Sequence, residues 1–314
     1  MGSERLSGRQ LSVAALVAGL SWAGVLAGEM DWRWVLLFSP GIILLWQLLV
    51  KKGEKGLLRG WSGRVLQICF CGWSALLMAR VLHRAAERMV RVNGAEGAGV
   101  WIVLLLALPL LAVGWGRSAP FFRMAEILWL AVPVLLAALV LAAVPGVEWR
   151  WLAGPMGDWR KSAAGTVLTL SPLLFTLPYI YKVEQRPKTG WQMGVAAVTA
   201  VLAALTAGIL SPAAAGRIPA SLFVAAGALE QSVRGDGLVS ALWLLPDLTL
   251  VGLLARGWGG RFGPLCATGL AVLLAAAGIS PLFSEEILAL GTVILAAAVL
   301  VLPAGTGRVV VSFW

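Results

Sequence analysis

Asp247 follows Pro246 in the run LWLLPDLTLVGLL, an aspartate inside a stretch apolar enough to cross a bilayer. An ionised side chain at that depth is costly, so it should face the bundle interior and meet a donor or serve a function there. The proline beside it removes one backbone donor and frees a carbonyl. A second concentration of polar atoms lies between Thr166 and Tyr179, where Pro172 and Pro178 stand among Thr166, Thr169, Ser171 and Thr176. Two prolines and four hydroxyls suit either a kinked helix or an unwound segment, and unwound segments hold solutes and ions in transporters. Thr169, Ser171, Pro172 and Asp247 are therefore the candidate ligand-binding residues. Glu126, near the start of one apolar run, and Glu230, Arg234 and Asp236, leading into another, are candidates for a structural or signalling role. Glu230 and Arg234 are four apart and share a helical face, where they can pair.

Other chemistry has little support. The single histidine, His83, stands beside Arg84 at the end of an apolar run and reads as interfacial rather than catalytic. Cys69 and Cys71 point to different faces of a helix and cannot share a metal. With Cys266 they read as small apolar filler. No HExxH, GxSxG, P-loop or clustered carboxylate pair occurs. Neither enzymatic activity nor a cofactor or metal is expected.

These residues must be held by helices in a bilayer. Of 314 residues, 60% are hydrophobic and 13% charged, and the mean hydropathy is +0.88. A soluble domain carries about 25% charged residues. A spanning helix needs about 20 mostly apolar residues. Spans are expected at 11–28, 33–50, 65–83, 99–115, 124–145, 163–181, 192–211, 237–255, 264–283 and 286–303, making a single transmembrane domain. Ten spans place both termini on one side. Loops on that side hold 15 Lys and Arg against 10 opposite, which favours cytoplasmic termini. The net charge of +10 follows from the same bias, so no nucleic-acid partner is expected. Arg80, Arg84, Arg88 and Arg91, at helical spacing, are expected to extend the third helix beyond the bilayer. Among the 16 Trp, Trp32, Trp34, Trp115, Trp149, Trp151 and Trp191 lie near span ends, as an interfacial belt would. The run from Ser221 to Arg234 suits a short amphipathic surface helix with Leu222, Val224 and Leu229 turned inward.

Several elements in order resemble the spore germination permease family, the B-type subunits of nutrient germinant receptors. They are Leu6-Ser7-x-x-Gln10-Leu11, Ala27-Gly28-x-x-x-Trp32, Ala125-Glu126-Ile127-Leu128 and Leu177-Pro178-Tyr179-Ile180. The last is Glu230-x-x-x-Arg234-x-Asp236, followed by Leu238 and Trp243-Leu244-Leu245. The family is a branch of the amino acid–polyamine–organocation transporters. The resemblance implies an all-α fold of ten helices in two inverted five-helix repeats, about 11–145 and 163–303, with a central pocket between interrupted first and sixth helices. It implies residence in the spore inner membrane, beside an A-type membrane subunit and a C-type lipoprotein, and a small nutrient ligand such as an amino acid. The chain departs from the family in a shorter first span and in Leu168-Thr169, where Gly-Glu is usual. The readings open at this point are a receptor subunit, a secondary transporter of amino acids or other small solutes, and a membrane-embedded enzyme or assembly factor.

Overall fold

Ser7 and Gln10 start the first helix. Ser7 Oγ accepts from the Gln10 N–H at 3.1 Å, and Gln10 Oε1 accepts from the Ser7 N–H at 3.0 Å. This reciprocal cap satisfies donors that a helix start leaves open. The structure is a computed structural model that describes residues 6–54, 61–93, 97–115, 118–180, 190–218, 221–228, 235–258 and 263–301.

Five long helices come first: α1 (Gly8–Leu26), α2 (Trp32–Glu54), α3 (Trp61–Asn93), α4 (Gly99–Trp115) and α5 (Ser118–Ala143). A short α6 (Trp149–Leu152) crosses to the second half. There, α7 (Trp159–Leu170), a 3₁₀ segment (Ser171–Thr176) and α8 (Leu177–Ile180) together make the sixth span. Next come α9 (Gly190–Leu210), two connecting helices α10 (Pro212–Ala215) and α11 (Ser221–Ala228), then α12 (Gly235–Arg256), α13 (Gly263–Ala276) and α14 (Glu285–Val301). Among the described residues, five helical stretches are each long and apolar enough to cross a membrane: Gly8–Leu26, Trp32–Lys52, Ala119–Gly146, Gly190–Leu210 and Val239–Arg256. The periphery is apolar too. Leu105 and Leu108 of α4, Ile127 and Leu130 of α5, and Leu290 and Ile294 of α14 face outward, as lipid contact requires.

Contacts between helix ends sort them into two faces. On one face Gln10 Nε2 donates to Glu126 Oε2 at 3.2 Å, Lys52 Nζ donates to the Leu300 carbonyl, and Arg256 lies over the Phe121 ring. The other face gathers the first turn, the α5–α7 and α9–α12 connections and the start of α14. Here Asp31 is the anchor. It accepts from Arg33 Nη2 at 2.7 Å and from the Gly157 N–H at 2.8 Å, while Arg33 Nη1 donates to the Gly154 carbonyl at 2.8 Å. Burial alone would raise the Asp31 pKa, but these donors outweigh it and hold it below its ordinary value. The alternation of the two faces is that of a chain crossing back and forth ten times.

At the centre is α1, buried at every position from Leu11 to Leu26. Three glycines let its neighbours close in. A Cβ on Gly19 would lie 2.6 Å from the Thr169 carbonyl, so the first and sixth spans touch there. A Cβ on Gly24 would strike the Trp243 ring, and one on Gly28 the Ser221 hydroxyl. Gly19 and Ser21 are two residues apart, about 200° around a helix. One side of α1 therefore meets the sixth and seventh spans and the other the eighth.

Three expectations need correction. The first helix is not interrupted. The ninth ends at Ala276, well before residue 283, because Gly278 takes φ +66 and the Ile279 N–H turns back to the Leu274 carbonyl at 3.1 Å. The third helix does run on to Asn93, but Arg80, Arg84 and Arg88 turn into the protein, to Glu285 and Asp247. Filling the α1–α7 contact with Gly19→Val is expected to destabilise the protein by about 1–3 kcal/mol through overpacking. Gly41→Ala, where an added Cβ meets nothing, serves as the neutral control. Thermal unfolding of both variants in detergent checks this.

Candidate functional site

Asp247 faces the bundle interior. Its Oδ1 accepts from Ser21 Oγ of α1 at 2.6 Å, and its Oδ2 from Arg88 Nη2 of α3 at 2.6 Å. A donor was expected here, and the structure supplies two, one of them a full charge from another helix. Arg88 is 1% exposed and Asp247 4%. Arg88 Nε donates to Ser240 Oγ at 3.0 Å, one face of its guanidinium lies 4.8 Å from the Phe223 ring centre, and its Nη1 is buried without a hydrogen-bond partner. Phe223 comes from α11 and packs edge-on against Trp243, whose Nε1 donates to the Leu20 carbonyl at 3.1 Å. The pair thus ties α1, α3 and α12 together beneath α11.

A second charged cluster lies on the α11 face. Glu285 Oε1, at the start of α14, accepts from Arg80 Nη2 at 2.6 Å and from Arg84 Nη2 at 2.5 Å. Arg84 also lies 3.6 Å from Glu29, in the turn after α1. Burial, helped by Glu285, raises the Glu29 pKa against the pull of Arg84.

The 3₁₀ segment in the sixth span follows from its prolines. Pro172 cannot donate to Leu168, and the Leu168 carbonyl accepts instead from the Ser171 N–H and from Ser171 Oγ at 2.7 Å. Pro178 likewise cannot donate to Leu174, whose carbonyl accepts from the Leu177 N–H. Thr176 Oγ1 turns back to the Leu173 carbonyl at 2.7 Å. Ser171 and Pro172 therefore act on their own backbone. The Thr169 hydroxyl alone is buried without a partner among the sixth-span hydroxyls. These three residues are not joined to Asp247, whose hydrogen bonds go to Ser21 and Arg88. Glu126 is partly exposed beside Gln10, with Arg9 Nε at 3.9 Å. Glu230 and Arg234 lie outside the described residues, as does Leu229. Asp236 is in the first turn of α12, but its side chain is not described. In α11, Leu222 is buried and Val224 half-buried.

The chain matches no protein-family model, and no curated protein matches it. Solved structures do match. Mhp1, a nucleobase-cation-symport-1 family transporter in a closed conformation with bromovinylhydantoin bound, aligns with a TM-score of 0.60 at 10% identity. The alignment covers 95% of this chain and 71% of that one. This chain has a transporter fold. It is an all-α polytopic membrane protein of the inverted-repeat type, and at that identity the likeness speaks for the fold alone.

The sequence reading missed Arg88, Ser21, Ser240 and Phe223 as parts of the site. A signal was present: Arg80, Arg84 and Arg88 recur every four residues, which marks one helical stripe. Breaking the pair from one side, with Arg88→Met or Asp247→Leu, is expected to cost about 3–5 kcal/mol by leaving a buried charge unmatched. The double variant should recover most of that loss. A double-mutant cycle on detergent unfolding midpoints reads it directly.

Proposed function

We propose that this chain is a membrane subunit of a spore nutrient-germinant receptor, a transporter fold used to sense a small solute or to pass on its signal. The observation that carries the reading is the first helix. Transporters of the inverted-repeat type bind their solutes at discontinuous helices near the midplane. Here α1 is continuous, and Leu11 to Leu26 are all buried. A carrier needs a path through the protein, whereas a sensor has only to bind and change shape.

The elements that resemble the germination permeases support the same reading, because described residues in them make contacts in the bundle. Ser7 and Gln10 cap α1, and Gln10 holds Glu126. Gly28 admits the α10–α11 connection. Tyr179 packs against Phe122 with ring centres 5.3 Å apart, and Trp243 holds α1. On this proposal the chain resides in the spore inner membrane with an A-type subunit and a C-type lipoprotein. A second reading, a secondary transporter of amino acids or other small solutes, draws on the fold shared with Mhp1.

Deleting the gene is expected to abolish the response of spores to one set of small nutrients while leaving nutrient-independent germination intact. The purified chain in liposomes should take up labelled amino acids no faster than protein-free vesicles. An unchanged nutrient response would overturn the receptor reading, and saturable uptake would put the carrier in its place.

A further inference from the structure

We propose that a cavity between α3, α4 and the end of α13 is a binding site for one phospholipid with a primary-ammonium headgroup, a phosphatidylethanolamine. The cavity holds about 570 Å³. Pockets for small molecules range over about 300–1,000 Å³. There is room for a headgroup, while the acyl chains stay outside among the bulk lipid. Such a site needs only the membrane fold, so its loss would leave the receptor reading in place.

The depth of the cavity points to a lipid. It lies at the α11-face ends of its helices: α4 begins at Gly99 and α13 ends at Ala276, and both residues line it. Trp101, beside the lining Val100, is 70% exposed, and tryptophan at a helix end marks the headgroup level. The floor is buried and apolar, with Ala86 of α3, Val103 of α4 and Ala275 of α13. Further toward the bilayer centre, Leu104, Leu105 and Leu108 of α4 and Leu273 of α13 are exposed. They continue the apolar wall from the mouth into the hydrocarbon, as a track for acyl chains.

Glu87 selects the headgroup. Its Oε1 lies 3.2 Å from His83 Nε2, one turn back on α3, and its side chain is 49% exposed. Both residues line the cavity, so a donor seated there can reach the carboxylate. A carboxylate at headgroup depth favours a cation that carries N–H donors. The ethanolamine ammonium supplies the charge and three donors, as a lysine ammonium does. Choline supplies the charge without an N–H, and phosphatidylglycerol brings a phosphate with no cation to offset it. Arg91 also lines the rim and has an interaction of its own. Beside the His83–Glu87 stripe, about 100° around the helix, runs the stripe of Arg80, Arg84 and Arg88. That second stripe makes the Glu285 and Asp247 pairs. A lipid seated in the cavity therefore braces the helix that holds α12 and α14.

The test titrates the purified, delipidated full chain with palmitoyl-oleoyl phosphatidylethanolamine, phosphatidylcholine and phosphatidylglycerol in turn, and counts bound lipid by native mass spectrometry. One phosphatidylethanolamine should bind saturably, with a Kd about tenfold or more below that of either other lipid, the difference expected for one charge-assisted contact. Glu87→Gln should remove that preference and leave phosphatidylcholine binding unchanged. Gly99→Leu should remove the saturable component itself. Gly99 lines the cavity, and an added Cβ there meets nothing within 4 Å, so leucine occupies the space without disturbing the backbone. Equal binding of the three lipids, or a preference that survives both substitutions, would mean annular lipid only and overturns the proposal. So does displacement of bound phosphatidylethanolamine by excess free L-leucine, which would give the cavity to a water-borne solute. The comparison of three lipids uses the unaltered chain, so it decides the matter even where a substitution spoils folding.

Discussion

A guanidinium cannot shed its proton inside a protein, so Arg88 must be matched where it lies. The match fixes three helices at once. Asp247 has to stand on the facing side of α12, Ser21 on the facing side of α1, and Phe223 has to bring α11 down over the exposed face of the charge. Ser240 takes a further donor from the same side chain. Alternative packings of these helices would leave one charge in a low dielectric without its partner. The pair is thus an expensive group that specifies an arrangement, whatever its net contribution to stability.

Around this pair, α1 serves as the axis of the bundle. Its glycines sit where a neighbour comes closest: Thr169 at Gly19, Trp243 at Gly24 and Ser221 at Gly28. Close approach of backbones through small residues is how helices associate without a hydrophobic driving force. The same packing removes the gap in the first helix from which a transporter of this type builds its solute site. Of the sixth-span hydroxyls that could have faced that gap, Thr166, Ser171 and Thr176 each donate to a carbonyl of their own segment, Ser171 to the Leu168 carbonyl that Pro172 frees. The fold of a carrier is retained, while its centre is occupied by side chains.

Much of the fold was legible in the sequence. Hydropathy placed the ten spans, and seven of them agree with described helices within four residues at each end, while α3 runs ten residues past the expected 83 and α5 begins six before the expected 124. The ninth fell short because a glycine with positive φ ends α13, a local backbone event that an apolar window does not register. The prolines of the sixth span foretold its 3₁₀ segment, since the loss of two donors has a predictable local result. Asp247 was legible as a residue that must face inward, because the cost of an unpaired charge does not depend on the fold. Its partner was not. Arg88 is 159 positions away, and its stripe read equally well as a solvated extension of α3. The continuity of α1 was hidden as well, because the resemblance implied a break that this shorter span does not contain.

The central claim is that the middle of the bundle, where the first and sixth spans meet, stays closed to water. Thr169 is the position to probe, with its buried, unpartnered hydroxyl beside Gly19. In a chain carrying Cys69→Ser, Cys71→Ser and Cys266→Ser, Thr169→Cys can be exposed to a membrane-impermeant thiol reagent from each face in turn. The account predicts no labelling from either face, with or without amino acids present, until the protein is unfolded. Labelling of the folded protein, above all labelling that changes face when a solute is added, would reveal an alternating path and contradict it.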